Sequence, residues 1–107
     1  MRELKFRGKT KENKIVYGYY VKTSSKEYIV EQNGTVRFIL PNTVQEYTGY
    51  TDVNGEEIYC EEILYDEIEE ENCTIEFLMG GFKATYECFT VDLEEVHTQL
   101  VHTLKAG

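Results

Sequence analysis

Tryptophan is absent from these 107 residues, proline occurs once and cysteine three times. An odd and scattered cysteine count argues against the disulfide framework of a small secreted protein. There is no C-x-x-C pair and no histidine close to a cysteine in sequence, so zinc is not expected. No stretch approaches the ~18 apolar residues of a membrane span. The opening Met1-Arg2-Glu3-Leu4-Lys5-Phe6-Arg7 has no apolar run of the signal-peptide kind. These absences predict a cytoplasmic protein with no membrane partner. Also missing are G-x-S-x-G, the phosphate-binding G-x-x-x-x-G-K-[ST] and the dinucleotide glycine fingerprint. No catalytic residue, no metal and no cofactor is therefore expected, and the protein is not read as an enzyme.

Basic residues are missing over one long stretch, from Arg37 to Lys83, while Glu46 to Glu71 holds eleven acids. Residues 1–39 carry nine Lys/Arg and four acids, a sum of +5. Residues 40–107 carry two Lys/Arg and 16 acids, a sum of −14, which gives the net −9. A total of that sign disfavours general binding to double-stranded nucleic acid. The acidic tract reads first as a solvated face that aids solubility. The sharper alternative is an acidic DNA mimic that occupies a basic host protein. On that reading the interaction residues are Glu56, Glu57, Glu61, Glu62, Glu69 and Glu70.

What is present is mostly strand pattern. The hydrophobic fraction of 41% suits a folded chain, and the length suits a single domain. Leu4 and Phe6 alternate with charges. Ile15 to Val21 is β-branched and aromatic, with Gly18 marking a bulge or a close backbone approach. Asn33-Gly34 predicts a two-residue hairpin turn that sets Ile29 opposite Phe38 and Val30 opposite Arg37. Pro41 closes that strand. Thr43 to Thr51 and Glu57 to Cys60 flank a turn at Asp52-Val53-Asn54-Gly55. Ile63 to Tyr65 is a further apolar patch, and Glu67 to Asn72 reads as an exposed loop or edge. Cys73 to Phe89 predicts a hairpin turning at Gly80-Gly81. Its core face would hold Cys73, Ile75, Phe77, Met79, Phe82, Ala84, Tyr86 and Cys88. That register places Cys73 opposite Cys88, within disulfide range, with two buried thiols the expected state.

From Asp92 to Lys105 the period changes. Leu93, Val96, Leu100, Val101 and Leu104 fall on one face of an amphipathic helix, with Asp92 and Glu95 placed for capping. His97 and His102 are five apart, about 140° around a helix, so they cannot share one ion. His97 reads as a packing residue and His102 as solvated. The spacing around Asn54-Gly55 is not that of a calcium loop.

Nine tyrosines and five phenylalanines remain to be placed. Tyr17, Tyr19 and Tyr20 share the basic part with Lys5, Arg7 and Lys22. Aromatics beside cations stack bases and hold phosphates, so these six are the candidate ligand residues for a nucleotide, a nucleotide signal or single-stranded nucleic acid. The simpler alternative is cross-strand packing in a small barrel. A carboxylate-based enzyme is the weakest alternative, because so many acids select no particular pair.

Three segments carry a family resemblance. They are Arg2-Glu3-Leu4-Lys5-Phe6-Arg7-Gly8, Val16-Tyr17-Gly18-Tyr19-Tyr20, and above all Pro41-Asn42-Thr43-Val44-Gln45-Glu46-Tyr47-Thr48-Gly49-Tyr50-Thr51-Asp52-Val53-Asn54-Gly55-Glu56-Glu57-Ile58-Tyr59. The chain resembles the YopX family of small phage- and prophage-encoded proteins, well over residues 1–65 and loosely beyond. The resemblance implies a mostly β fold, with an N-terminal β-meander and an SH3-like, partly open β-barrel. With the C-terminal helix, the expected parts are a basic meander over 1–40, an acidic barrel over 41–91 and a helix over 92–105 of one domain. It also implies a homo-oligomer. The expected role is that of a phage accessory protein acting by binding in the host cell cytoplasm, by analogy with other small acidic phage proteins in counter-defence or host takeover. One departure follows Tyr59. Cys60-Glu61-Glu62-Ile63 stands where the family usually has a Glu-Gly-Asp-Ile type sequence, so a turn glycine is missing.

Overall fold

The computed structural model describes residues 5–102. Leu4, Leu104 and Lys105 lie outside them. The described chain is mostly β, in two antiparallel sheets with one short helix near its C-terminal end. It divides into two compact units after Tyr47. No helix among the described residues is long and apolar enough to cross a membrane.

The first unit is a meander of β1 (Phe6–Lys9), β2 (Ile15–Lys22), β3 (Glu27–Val30) and β4 (Val36–Ile39), in spatial order β4-β3-β2-β1. The start of β5 (Gln45–Thr51) adds to the other edge of β1, with Arg7 opposite Gln45 and Phe6 opposite Glu46. Gly18 is the close approach its position in β2 predicts. A Cβ there would lie 2.1 Å from the Val30 carbonyl oxygen. The Asn33-Gly34 hairpin differs from expectation by one residue. Glu31 N–H donates to Thr35 O at 2.8 Å and Gly34 N–H to Glu31 O at 2.8 Å, leaving a three-residue loop. Gly34 alone takes positive φ, at +90°, so the loop is a turn followed by a glycine bulge. Ile29 therefore faces Arg37, and Tyr28 faces Phe38. An odd shift reverses faces. Ile29 and Ile39 are buried, while Phe38 is turned outward.

The second unit contains the rest of β5, then β6 (Glu57–Tyr59), and a sheet ordered β10-β9-β8-β7-β11. Its strands are β7 (Ile63–Asp66), β8 (Glu71–Leu78), β9 (Gly81–Thr85), β10 (Thr90–Asp92) and β11 (Leu100–Val101). One core gathers Ile58, Leu64, Cys73, Ile75, Phe82, Ala84, Tyr86, Leu93 and Leu100. The β8–β9 hairpin turns at Met79-Gly80, both at positive φ, rather than at Gly80-Gly81. Ile75 faces Ala84 and Phe77 faces Phe82. This is a shift of two residues, so the expected core face survives except at its ends. Phe77, Met79 and Cys88 are exposed. It also separates the cysteines: Cys73 is buried, Cys88 exposed, and no cysteine is in a disulfide. Two buried thiols at 73 and 88 were expected; only Cys73 is one.

The expected helix over 92–105 is a single turn, α1 (Leu93–Val96), followed by a 3-10 turn (His97–Gln99) and β11. Asp92 occupies the cap position without a side-chain cap bond, its carboxylate pairing with Lys83 instead. Val96, Thr98 and Val101 are weak helix formers. The edge of β7 offers backbone partners that a continued helix would leave open, and Leu100 and Val101 pair with Asp66 and Tyr65. At the family's missing glycine the turn is kept. Glu61 takes φ +74°, its N–H donating to Ile75 O at 2.7 Å.

A buried carboxylate closes this unit. Asp66 is wholly shielded from solvent. Its Oδ1 accepts the Ile68 and Glu69 N–H groups, each at 2.9 Å, and its Oδ2 accepts the Tyr86 hydroxyl. Gln99 Nε2 donates to both oxygens, at 3.1 and 2.9 Å. Burial pushes the Asp66 carboxyl up, but these donors outweigh it and hold it below the ordinary value.

Three outcomes are expected. Glu61→Gly should stabilise the fold by about 0.5–1 kcal/mol in urea unfolding, because an L side chain no longer sits in the left-handed region. Thiol titration should show Cys88 reacting first in native protein and three thiols after unfolding. Cys73 should be the slowest, since burial pushes its thiol up to about 11; a single thiol after unfolding would contradict the structure. The Asp66 carboxyl is depressed in the fold, so its contribution is present above about pH 4 and lost as pH falls through the folded value. The urea midpoint of Asp66→Asn should therefore be lower at neutral pH and fall less steeply on acidification than that of the unaltered protein.

Candidate functional site

The pleat of the first unit sorts its side chains by parity. Paired residues share a face, and the registers put Ile15, Tyr17, Tyr19 and Val21 of β2 with Tyr28 of β3 and Val36 and Phe38 of β4. All but Tyr28 are exposed, Tyr19 at 64% and Phe38 at 56%. Arg7 and Lys9 of β1 lie opposite Tyr17 and Ile15 on this face. The aromatic rings are met by cations. Lys5 Nζ lies 5.8 Å from the Tyr17 ring centroid and 5.4 Å from that of Tyr47, and Lys26 Nζ lies 4.9 Å from that of Phe38. The Tyr28 and Phe38 centroids are 4.9 Å apart. Arg7 Nε donates to Gln45 Oε1 at 2.8 Å, which fixes the guanidinium beside Tyr17.

Four of the six expected ligand residues, Lys5, Arg7, Tyr17 and Tyr19, are therefore brought together. Tyr20 and Lys22 belong to the opposite face, because they fall on the even positions of β2. Tyr20 is half-buried, with its ring centroid 5.7 Å from that of Phe6 and its hydroxyl donating to Glu27 at 2.9 Å. Burial and then the Glu27 carboxylate raise its phenol above the ordinary value. Lys22 nonetheless lines an open cleft of about 990 Å³ with Lys11, Lys14, Lys26 and Arg37, against Glu12, Glu27 and Glu31, and Ile15, Val36 and Phe38 of the aromatic face line the same cleft. Val36 and Phe38 share the aromatic face, and Lys26 and Tyr47 make the ring contacts described; none of the four is among the residues expected from sequence. The alternation of β4 would have supplied Val36 and Phe38, had the hairpin been read with three loop residues.

The six acidic candidates do not act as one uniform patch. Glu57 accepts the Tyr59 hydroxyl at 2.9 Å. Glu62 accepts the Tyr59 N–H at 2.7 Å and lies 3.3 Å from His102 Nε2. Glu56, Glu61, Glu69 and Glu70 are exposed. His102 is not the solvated residue expected. Its Nδ1 is 2.7 Å from the buried Asp52 carboxylate and 3.3 Å from that of Glu56. Burial works against its charge, but Asp52 and Glu62 outweigh this and raise its pKa. No ligand spacing in the sequence pointed to this group, because His102 lies 40 to 50 residues from its carboxylate partners. His97 does pack as expected, with its ring centroid 4.9 Å from that of Tyr50 and Nδ1 2.8 Å from the Thr51 carbonyl.

No curated protein matches the chain. The family model of the YopX protein does, over residues 3–106. The match runs well past the region of clear resemblance and through the described hairpin and C-terminal strand, and the chain belongs to the YopX family.

Proposed function

We propose that this YopX-family protein is a phage accessory protein that acts by binding rather than catalysis, with single-stranded nucleic acid as the ligand of its aromatic sheet face. The observation that carries this reading is the combination on one face of exposed Tyr17, Tyr19 and Phe38 with Lys5, Arg7 and Lys26. Scattered exposed apolar residues need no explanation, but a contiguous set marks an interaction surface. Tyrosine and phenylalanine faces stack bases without demanding a sequence, and neighbouring cations hold the phosphates. The same cations favour an anionic ligand. An open face suits an extended strand better than an enclosed mononucleotide, and double-stranded nucleic acid cannot offer its base faces to it.

Binding of this kind would serve counter-defence or host takeover by sequestering nucleic acid. Self-association remains the family-based expectation and would use another surface. The acidic-mimic reading keeps Glu61, Glu69 and Glu70 as its exposed residues.

Fluorescence anisotropy with a short labelled oligothymidylate tests the proposal. Tyr17→Ala with Tyr19→Ala should weaken binding by at least about tenfold, and Lys5→Ala should flatten its salt dependence. Tyr20→Phe, which removes only a hydroxyl engaged by Glu27 on the other face, should leave it unchanged. No saturable binding by the unaltered protein would overturn the proposal. Equal loss from Tyr20→Phe, or a dimer in light scattering that Tyr19→Ala dissociates, would do the same.

A further inference from the structure

The second unit contains a side-chain group that the binding reading does not use. Asp52 opens the Asp52-Val53-Asn54-Gly55-Glu56 turn, which Asp52 N–H closes onto Glu56 O at 2.8 Å. Its Oδ1 is spent on the backbone, accepting Asn54 N–H at 2.8 Å and Glu56 N–H at 2.9 Å. Oδ2 is left to face His102 Nδ1 at 2.7 Å. Val53 N–H donates to Leu100 O at 3.0 Å, which ties this turn to the strand that delivers His102. Glu56 Oε2 reaches the same ring nitrogen at 3.3 Å. One oxygen from each carboxylate and one imidazole nitrogen all lie within 4.8 Å of one another.

We infer that Asp52, Glu56 and His102 bind a first-row divalent transition-metal ion through Oδ2, Oε2 and Nδ1. This goes beyond the nucleic-acid reading and does not depend on it. An ion with ligands at about 2.0–2.1 Å in tetrahedral array holds the ligand atoms about 3.3–3.4 Å apart. The Glu56 separation of 3.3 Å matches that spacing, whereas the Asp52 separation of 2.7 Å is a hydrogen-bond distance that an entering ion would open; the Glu56 side chain, 66% exposed, is free to adjust. Its exposure leaves the outer coordination positions to water. On the far side of the imidazole, Glu62 Oε1 lies 3.3 Å from Nε2. A carboxylate at that place orients a metal-bound imidazole and raises its donor strength. Carboxylates alone would gather any cation. The directed imidazole nitrogen selects the borderline ions over calcium and magnesium, which take oxygen. Binding replaces the proton between Asp52 and His102, so protons leave as the ion enters.

The test uses full-length, tag-free, chelator-stripped protein titrated with Zn²⁺ by calorimetry and with Co²⁺ by visible absorption. One equivalent should bind, with proton release measured in two buffers of different ionisation heat. Zn²⁺ should raise the melting temperature. Glu56→Gln, at an exposed position, and His102→Gln should each weaken binding at least about tenfold, and Glu62→Gln less. Four results would overturn the inference: no saturable uptake, His102→Gln binding as the unaltered protein does, Ca²⁺ binding as tightly as Zn²⁺, or a thiolate-to-Co²⁺ band placing the ion on a cysteine. If His102→Gln fails to fold, Glu56→Gln alone decides.

Discussion

The Asp66 carboxylate, fully removed from water, is the constraint on which the second unit depends. A lone buried charge is costly unless its oxygens are satisfied. Here the donors come from the turn after β7, from Tyr86 beyond β9 and from Gln99 in the 3-10 turn. Each donor is held by a different segment, so the carboxylate is stable only when these segments are assembled together. The backbone of Asp66 meanwhile pairs with Leu100 of β11 and Glu71 of β8. The same residue thus fixes the strand order at that edge of the sheet. Gln99, the last residue of the 3-10 turn, reaches this carboxylate, and the next residue, Leu100, pairs with the Asp66 backbone.

Parity is the corresponding constraint in the first unit. Gly18 lets β2 approach β3 so closely that no Cβ fits, and from there the pleat assigns every side chain to one face or the other. Ile29 and Ile39 go to the buried side, leaving Tyr17, Tyr19 and Phe38 outward. The surface proposed to bind nucleic acid is therefore a consequence of strand alternation and of the loop length at Asn33-Gly34. It is distinct from the acidic carboxylates of the second unit, several of which are engaged within that unit.

Much of the architecture was legible because strand periodicity, turn residues and β-branched composition are local. Gly18, the Asp52-Val53-Asn54-Gly55 turn and the buried face of the Cys73–Phe89 hairpin are of this kind. Cys73, Ile75, Phe82, Ala84 and Tyr86 are buried as expected although the register is two residues off, since an even shift preserves sides, whereas Phe77, Met79 and Cys88 are exposed. The Asn33-Gly34 register differs from expectation by one, which hid Phe38 from the aromatic face. The helix is present but shorter than expected, for another reason. Leu93, Val96, Leu100 and Val101 fit a helical stripe, yet α1 with β11 buries Leu93, Leu100 and Val101 while also satisfying the free edge of β7.

By itself the sequence determined the β class, the YopX kinship, the division of charge and the wealth of aromatics beside cations. These are properties of composition, order and spacing between near neighbours. Only the tertiary structure decided which aromatics share a face, that Cys73 and Cys88 do not meet, and that His102 sits between carboxylates from residues 52–62. Such groupings depend on strand register and on backbone pairing across some fifty residues, where a one-residue difference in a loop changes which side chains come within reach of one another.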